Sequence, residues 1–309
     1  MELIIWIAVL MLSLIVLIKA SDIFIDSSEK LGIYLGIPSF VIGVVIVGLG
    51  TSLPELVSSI LSVRQGASEI VIGNVLGSNI TNIFLILSIA AILGKEFTVE
   101  YNLLQTDLPF LLGSAIFISV SLIDGNFSMG EAIITLLLLF FYLIKAFEKG
   151  EQQEEKEKKE KLKRITWILL VLSPVLIFLG AKYTVDAVME IAKILSIGTE
   201  ILALSVVALG TSLPELMVTI SATKKGQPDM VVGNIVGSNV FNTFAVMGIP
   251  RLFGDLKIPA DVVKFSMPVH FAATLLFIII VIDKKVNRWE GFLLIVFYVY
   301  FLFTIFKWI

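Results

Sequence analysis

The chain has 309 residues, 57% of them hydrophobic and 16% charged, with a formal net charge of -3. That apolar share over that length excludes an ordinary soluble domain and points to a polytopic membrane protein. The absence of cysteine excludes disulfides, thiol chemistry and Cys-ligated metal centres, and the one histidine confines imidazole catalysis to His270.

In chain order, apolar runs of about 20 residues, enough to cross a bilayer, fall at 2–20, 38–63, 69–93, 103–123 and 128–147. Met1-Glu2-Leu3 lacks the basic n-region of a signal peptide, so the first run reads as a retained span. A segment of mixed charge follows, EKGEQQEEKEKKEKLKR at 148–164, which reads as a solvated linker too short to hold a folded domain. Five more runs fall at 165–185, 198–222, 228–253, 261–282 and 289–308. The predicted fold is an all-α polytopic membrane protein of ten transmembrane helices. Its parts are a first five-helix repeat (1–147), the linker (148–164) and a second five-helix repeat (165–309).

The halves are related by sequence. Gly50-Thr51-Ser52-Leu53-Pro54-Glu55 returns as Gly210-Thr211-Ser212-Leu213-Pro214-Glu215, and 50–84 shares 17 identities in 35 positions with 210–244. Further out, Asp26 lands on Asp186, and Asp124 and Glu131 land on Asp283 and Glu290. An odd number of spans per repeat inverts the second copy, an arrangement that places a transport site near the midplane between the repeats. Of the Lys and Arg residues, 16 lie nearest the face carrying the linker and 7 nearest the other. The linker is therefore expected to be cytoplasmic and both termini extracellular.

Glu55 and Glu215 lie inside apolar runs with no Lys or Arg between Lys30 and Arg64 or between Lys193 and Lys224. A charge at bilayer depth costs about 3 kcal/mol even on the mildest scale, and cation binding is the most economical reason for bearing that cost twice. Gly48, Gly50 and Pro54 predict a helix break near 50–54, freeing carbonyls at membrane depth. Thr51, Ser52, Thr211 and Ser212 add hydroxyls. In the following spans, Gly73-Asn74 to Asn79 and Gly233-Asn234 to Asn239 put Ser78 on one helical face with Asn82, and Ser238 with Asn242. Carbonyls, hydroxyls and carboxylates are the hard oxygen ligands that Ca²⁺ takes, and Na⁺ suits them too. Two carboxylates balance one Ca²⁺, two Na⁺ or two protons, and competition for one cage is what an antiporter needs. The remaining polar residues read as structural. Asn79 and Asn239 are expected to be interhelical hydrogen-bonding residues, Asp26 and Asp186 to lie near the water interface, and His270 to pack in the ninth span or near its entry.

The paired GTSLPE motifs, each followed by GNxxGSNxxN, resemble the α-repeats of the cation/Ca²⁺ exchanger superfamily, and most of all its prokaryotic Na⁺/Ca²⁺ exchangers. The resemblance implies that Glu55 and Glu215 are the central Ca²⁺ ligands. It further implies oxygens from Thr51, Ser52, Ser78, Thr211, Ser212 and Ser238, backbone carbonyls from Gly48 and Ala208, and a central region completed by Asn82 and Asn242. It also implies that spans one and six slide together across the other eight. Some relatives carry Asp where this chain has Asn242, and Asn at both 82 and 242 argues against K⁺ co-transport. Proton-driven relatives carry a Glu after the GN pair that this chain lacks, which favours Na⁺ over H⁺. The expected function is a secondary Na⁺/Ca²⁺ antiporter in the cell membrane, needing the lipid bilayer but no cofactor, nucleic acid or obligate protein partner. H⁺-coupled exchange of Ca²⁺ or another divalent cation is the alternative. An intramembrane hydrolase using the two carboxylates would need a base beside Ser52 that the sequence does not place there, so an enzyme is not expected.

Overall fold

The computed structural model describes residues 2–152, 162–194, 210, 212–260 and 262–305. The helices are α1 (Glu2–Leu35), α2 (Ser39–Arg64), α3 (Glu69–Gly94), α4 (Asp107–Ser121), α5 (Met129–Gln152) and α6 (Arg164–Ile194). They continue with α7 (Leu213–Lys224), α8 (Pro228–Arg251), α9 (Val262–Val281) and α10 (Arg288–Ile305). Eight of them are long and apolar enough to cross a membrane; α4 is shorter, and the predicted span 198–222 is described only in part. The first span is longer than its apolar run, because α1 continues through Asp22, Asp26 and Lys30 to Leu35. Among the described residues the chain is all-helical apart from its connections. Short ribbons also form, β1 (Glu96–Thr98) with β4 (Lys285–Asn287) and β2 (Asn126–Phe127) with β3 (Leu256–Lys257), all antiparallel.

These ribbons report the inversion. Between β1 and β2 lies α4, and between β3 and β4 lies α9, so the two ribbons sit at opposite ends of the helices. Repeat-related β1 and β3 therefore lie on opposite faces, as do β2 and β4. Turn chemistry is repeated with them. Ser128 N donates to Glu131 Oε2 (2.6 Å) while Glu131 N donates to Ser128 Oγ (3.2 Å). Asn287 and Glu290 form the same reciprocal pair at 2.8 and 3.1 Å. Asp124 and Asp283 each accept a backbone N–H two residues on. The acidic pairs matched between the halves are thus helix-start and turn residues. Glu131→Ala is expected to lower stability by about 1 kcal/mol without changing transport, read as a lower Tm of the detergent-solubilised protein.

Burial sorts the helices. In the most apolar window of α8 every residue is buried, and in that of α3 78% are, against 17% for α1. The paired-motif helices form the interior, and α1, α5, α6 and α10 present Ile, Leu, Val and Phe outward, where lipid tails meet them without penalty. α2 and α8 approach through glycine. A Cβ on Gly237 would stand 2.5 Å from Val44 O, and one on Gly43 2.7 Å from Met230 O. Only missing side chains let the two backbones come that close.

The predicted break at 50–54 is not present in the first repeat. Helix continues from Leu49 to Arg64 with Pro54 inside it. The irregularity lies earlier, as a π-helical segment over Gly43–Gly48. The wider turn sits where Gly43 and Gly48 press against α8, so the backbone yields to packing there rather than to Pro54. In the second repeat α7 begins at Leu213, with Pro214 in its first turn, where its missing N–H is not needed. Three further π-helical segments start at Asn82, Asn242 and Val262, in α3, α8 and α9.

Candidate cation site

The site is built where α2, α3, α7 and α8 meet. Glu55 and Glu215 are 1% and 2% exposed, and both Glu55 oxygens and Oε2 of Glu215 have no hydrogen-bond partner among the described residues. Ser52 Oγ, from the first repeat, donates to Glu215 Oε1 of the second at 3.2 Å. Ser238 Oγ donates to Gly48 O at 3.5 Å, a second contact across the repeats. Ser78 and Ser212 are buried, and their hydroxyls have no partner among the described residues. The same holds for both amide atoms of Asn82 and for Asn242 Oδ1.

Burying so many polar atoms unpaired is unfavourable by about 1–3 kcal/mol each, and by more for a carboxylate. Several other buried hydroxyls do find partners: Ser21, Ser88, Ser114, Thr135 and Thr274 all donate to a carbonyl of the preceding helical turn, although that of Ser28 does not. The candidate residues Glu55, Ser78, Asn82, Ser212, Glu215 and Asn242 together carry eight buried atoms without a partner among the described residues, and seven of these are oxygens. That donor set suits a hard cation, which supplies the positive charge the atoms lack. Among the described residues no three His, Cys, Asp or Glu side chains cluster. A cation held here would therefore take most of its ligands from neutral oxygens around a carboxylate pair.

Not every candidate is equally available. Thr51 Oγ1 donates to Val47 O (3.1 Å) and Gly48 O (3.4 Å), the back-bonding that competes with a ligand role. Thr211 and Ala208 lie outside the described residues. Asp26 pairs with Lys225 at 2.5 Å and is half-exposed. Asn79, read as structural glue, bridges α3 to α8 and α9 directly behind Asn242.

The two faces of the molecule differ. Ser221 Oγ of α7 donates to Asp22 Oδ1 of α1 (2.6 Å), and Lys225 Nζ donates to Asp22 O (2.7 Å) and Asp26 Oδ1. These contacts fasten α1 to the end of α7. The repeat-related positions on the other face are Lys182 and Asp186 of α6, and Leu61 and Gln65 of α2. They line an open cavity of about 450 Å³ instead. Pro54, Gly210 and Pro214 also line it, so it approaches the site. Neither the fastening nor the asymmetry was legible in the sequence, because Leu61 and Gln65 show only that the latch residues are not duplicated.

A family profile described as sodium/calcium exchanger protein matches residues 5–147 and again 165–307. A sodium/calcium exchanger of Methanosarcina acetivorans, MaX1, is 36% identical, with 96% of this chain and 97% of that protein covered. An uncharacterized membrane protein of Methanocaldococcus jannaschii is 34% identical over 94% of each chain. Among solved structures, the sodium-calcium exchanger NCX_Mj, soaked with Na⁺ and Sr²⁺, superposes with a TM-score of 0.85 at 32% identity. That match covers 96% of this chain and 97% of the other.

Proposed function

The chain belongs to the sodium/calcium exchanger protein family, a family of membrane transporters, and we propose from that premise that it exchanges Na⁺ for Ca²⁺ by alternating access. The observation that carries this reading is the set of unpaired buried oxygens on Glu55, Ser78, Asn82, Ser212, Glu215 and Asn242, joined across the repeats by the bond from Ser52 to Glu215. In the proposed site Glu55 and Glu215 bind Ca²⁺ directly. Ser52, Ser78, Ser212, Ser238 and Asn242 supply neutral oxygens, with Asn82, Thr51, Thr211 and the carbonyls of Gly48 and Ala208 completing Ca²⁺ and Na⁺ positions.

The chemistry follows from charge. One Ca²⁺ or two Na⁺ neutralise the carboxylate pair, whereas the empty pair carries two negative charges into a low-dielectric interior. Only loaded forms therefore rearrange cheaply, and the two cation loads must alternate. The fastened face and the open cavity are what one end-state of such a cycle would look like, and inverted repeats supply its mirror image. In this reading 1–147 and 165–309 are the two repeats, and 148–164 is a cytoplasmic linker. Both termini, and the cavity, are then extracellular.

Purified protein in Na⁺-loaded proteoliposomes, diluted into Na⁺-free buffer, is expected to take up Ca²⁺. Vesicles loaded with K⁺, or holding only a pH gradient, are expected not to. Uptake driven by the pH gradient alone would replace Na⁺ coupling with H⁺ coupling at the same carboxylates.

A further inference from the structure

We propose that Asn79 is a positioning residue that fixes the amide of Asn242 so that its oxygen, and not its nitrogen, is presented to the transported cation. The proposal rests on the reading above, that Asn242 belongs to the transport site.

The orientation follows from a chain of donors and acceptors anchored on one backbone carbonyl. Asn79, fully buried in α3, has its Nδ2 3.3 Å from Asn239 O and 3.0 Å from Thr243 Oγ1, both in α8. A carbonyl can only accept, so the side of the Asn79 amide facing Asn239 must be the NH₂. Its Oδ1 then points the other way, where Asn242 stands at 3.2 Å. An amide oxygen also only accepts, so Asn242 must offer Nδ2 to it. Asn242 Oδ1 is left turned away, buried, and without a partner among the described residues. Flipping Asn242 would set oxygen against oxygen at Asn79 and aim an NH₂ group at the cation.

His270, the chain's one histidine, closes the arrangement from α9. Its Nε2 lies 3.3 Å from Asn79 Nδ2 and, facing an NH₂ group, serves as an acceptor. Three acceptors thus share the two N–H hydrogens of one amide group.

The duplicated position does not work this way. Asn239 Nδ2 donates to Ile235 O of its own helix at 2.7 Å, and neither amide atom of Asn82 has a partner among the described residues. The sequence repeats Asn79 and Asn82 as Asn239 and Asn242, yet only Asn242 has its orientation set. The site is asymmetric where its sequence is symmetric.

The test is a double-mutant cycle on the apparent KM for Ca²⁺ in Na⁺-loaded proteoliposomes. Asn79→Ala in the parent is expected to raise that KM about tenfold, the scale of a lost ligand-orienting partner. In an Asn242→Asp background it is expected to have less than a twofold effect or to reverse sign, because a carboxylate presents oxygen in either orientation. An equal rise in both backgrounds, or none in the parent, would overturn the proposal, since a merely structural Asn79 affects both alike. Should Asn79→Ala not yield folded protein, Thr243→Val removes one of the three acceptors at nearly constant volume. Its effect is expected to be smaller, of the same sign, and again confined to the Asn242 background. A parent with no Na⁺-driven uptake at all would overturn the exchanger reading, and this one with it. Normal parent uptake with background-independent effects would overturn this one alone.

Discussion

Glu55→Gln, and equally Glu215→Gln, is expected to reduce Ca²⁺ transport by more than about a hundredfold while leaving the fold intact. A carboxylate about 4 Å from a divalent ion contributes roughly 8 kcal/mol at an effective dielectric of about 20. A hundredfold loss needs only about 2.8 kcal/mol, so even heavily compensated removal of one charge suffices. The fold should not suffer, because both Glu55 oxygens are buried without partners among the described residues, and a neutral amide is less costly to bury than an unpaired carboxylate. Two measurements separate these effects. The Tm of the cation-free variant should equal or exceed the parent's, and the rise in Tm on adding Ca²⁺ should vanish. Either variant transporting at the parent's rate would remove both the carboxylate pair and the site built around it.

Gly237→Val is expected to prevent the interior from assembling, read as loss of monodisperse protein after solubilisation. The added Cβ would stand 2.5 Å from Val44 O and 2.7 Å from Val44 Cα, and backbone atoms cannot rotate away as a side chain can. Overpacking usually costs about 1–3 kcal/mol. Here the cost falls on the contact between α2 and α8, which also places Ser238 against Gly48. Gly113→Ala in α4 is the control, because a Cβ there meets nothing within 4 Å. A Gly237→Val protein as stable and active as that control would mean that the close glycine contact does not hold the two helices together.

Much of this molecule was open to reading from residues alone. The apolar runs, the recurrence of GTSLPE and the odd number of runs per half specified a duplicated, inverted membrane protein, because bilayer thickness and backbone hydrogen bonding leave few alternatives. Glu55 and Glu215 stood out for the same reason: in an apolar run far from any Lys or Arg, a carboxylate has no cheap structural role. Serine and asparagine gave weaker signals, since each can be ligand, helix back-bonder or glue, and sequence spacing does not separate these. Thr51 proved to be bonded back to its own helix, while Ser78 and Ser212 did not.

Other features were decided only by tertiary contact. Pro54 predicted a local break, but the helix widened instead at Gly43–Gly48, where α8 presses on it, since packing from outside the segment outweighed the residue within it. Asn79 and Asn239 are equivalent in sequence and not in role: one faces a carbonyl and a histidine on neighbouring helices, the other its own helix. Likewise Asp22 and Asp26 clasp Lys225 on one face while their repeat partners line a cavity on the other. A duplicated sequence specifies two copies of each residue, but the tertiary contacts of this fold place those copies in different surroundings. Which copy is paired and which is free depends on neighbours distant in the chain.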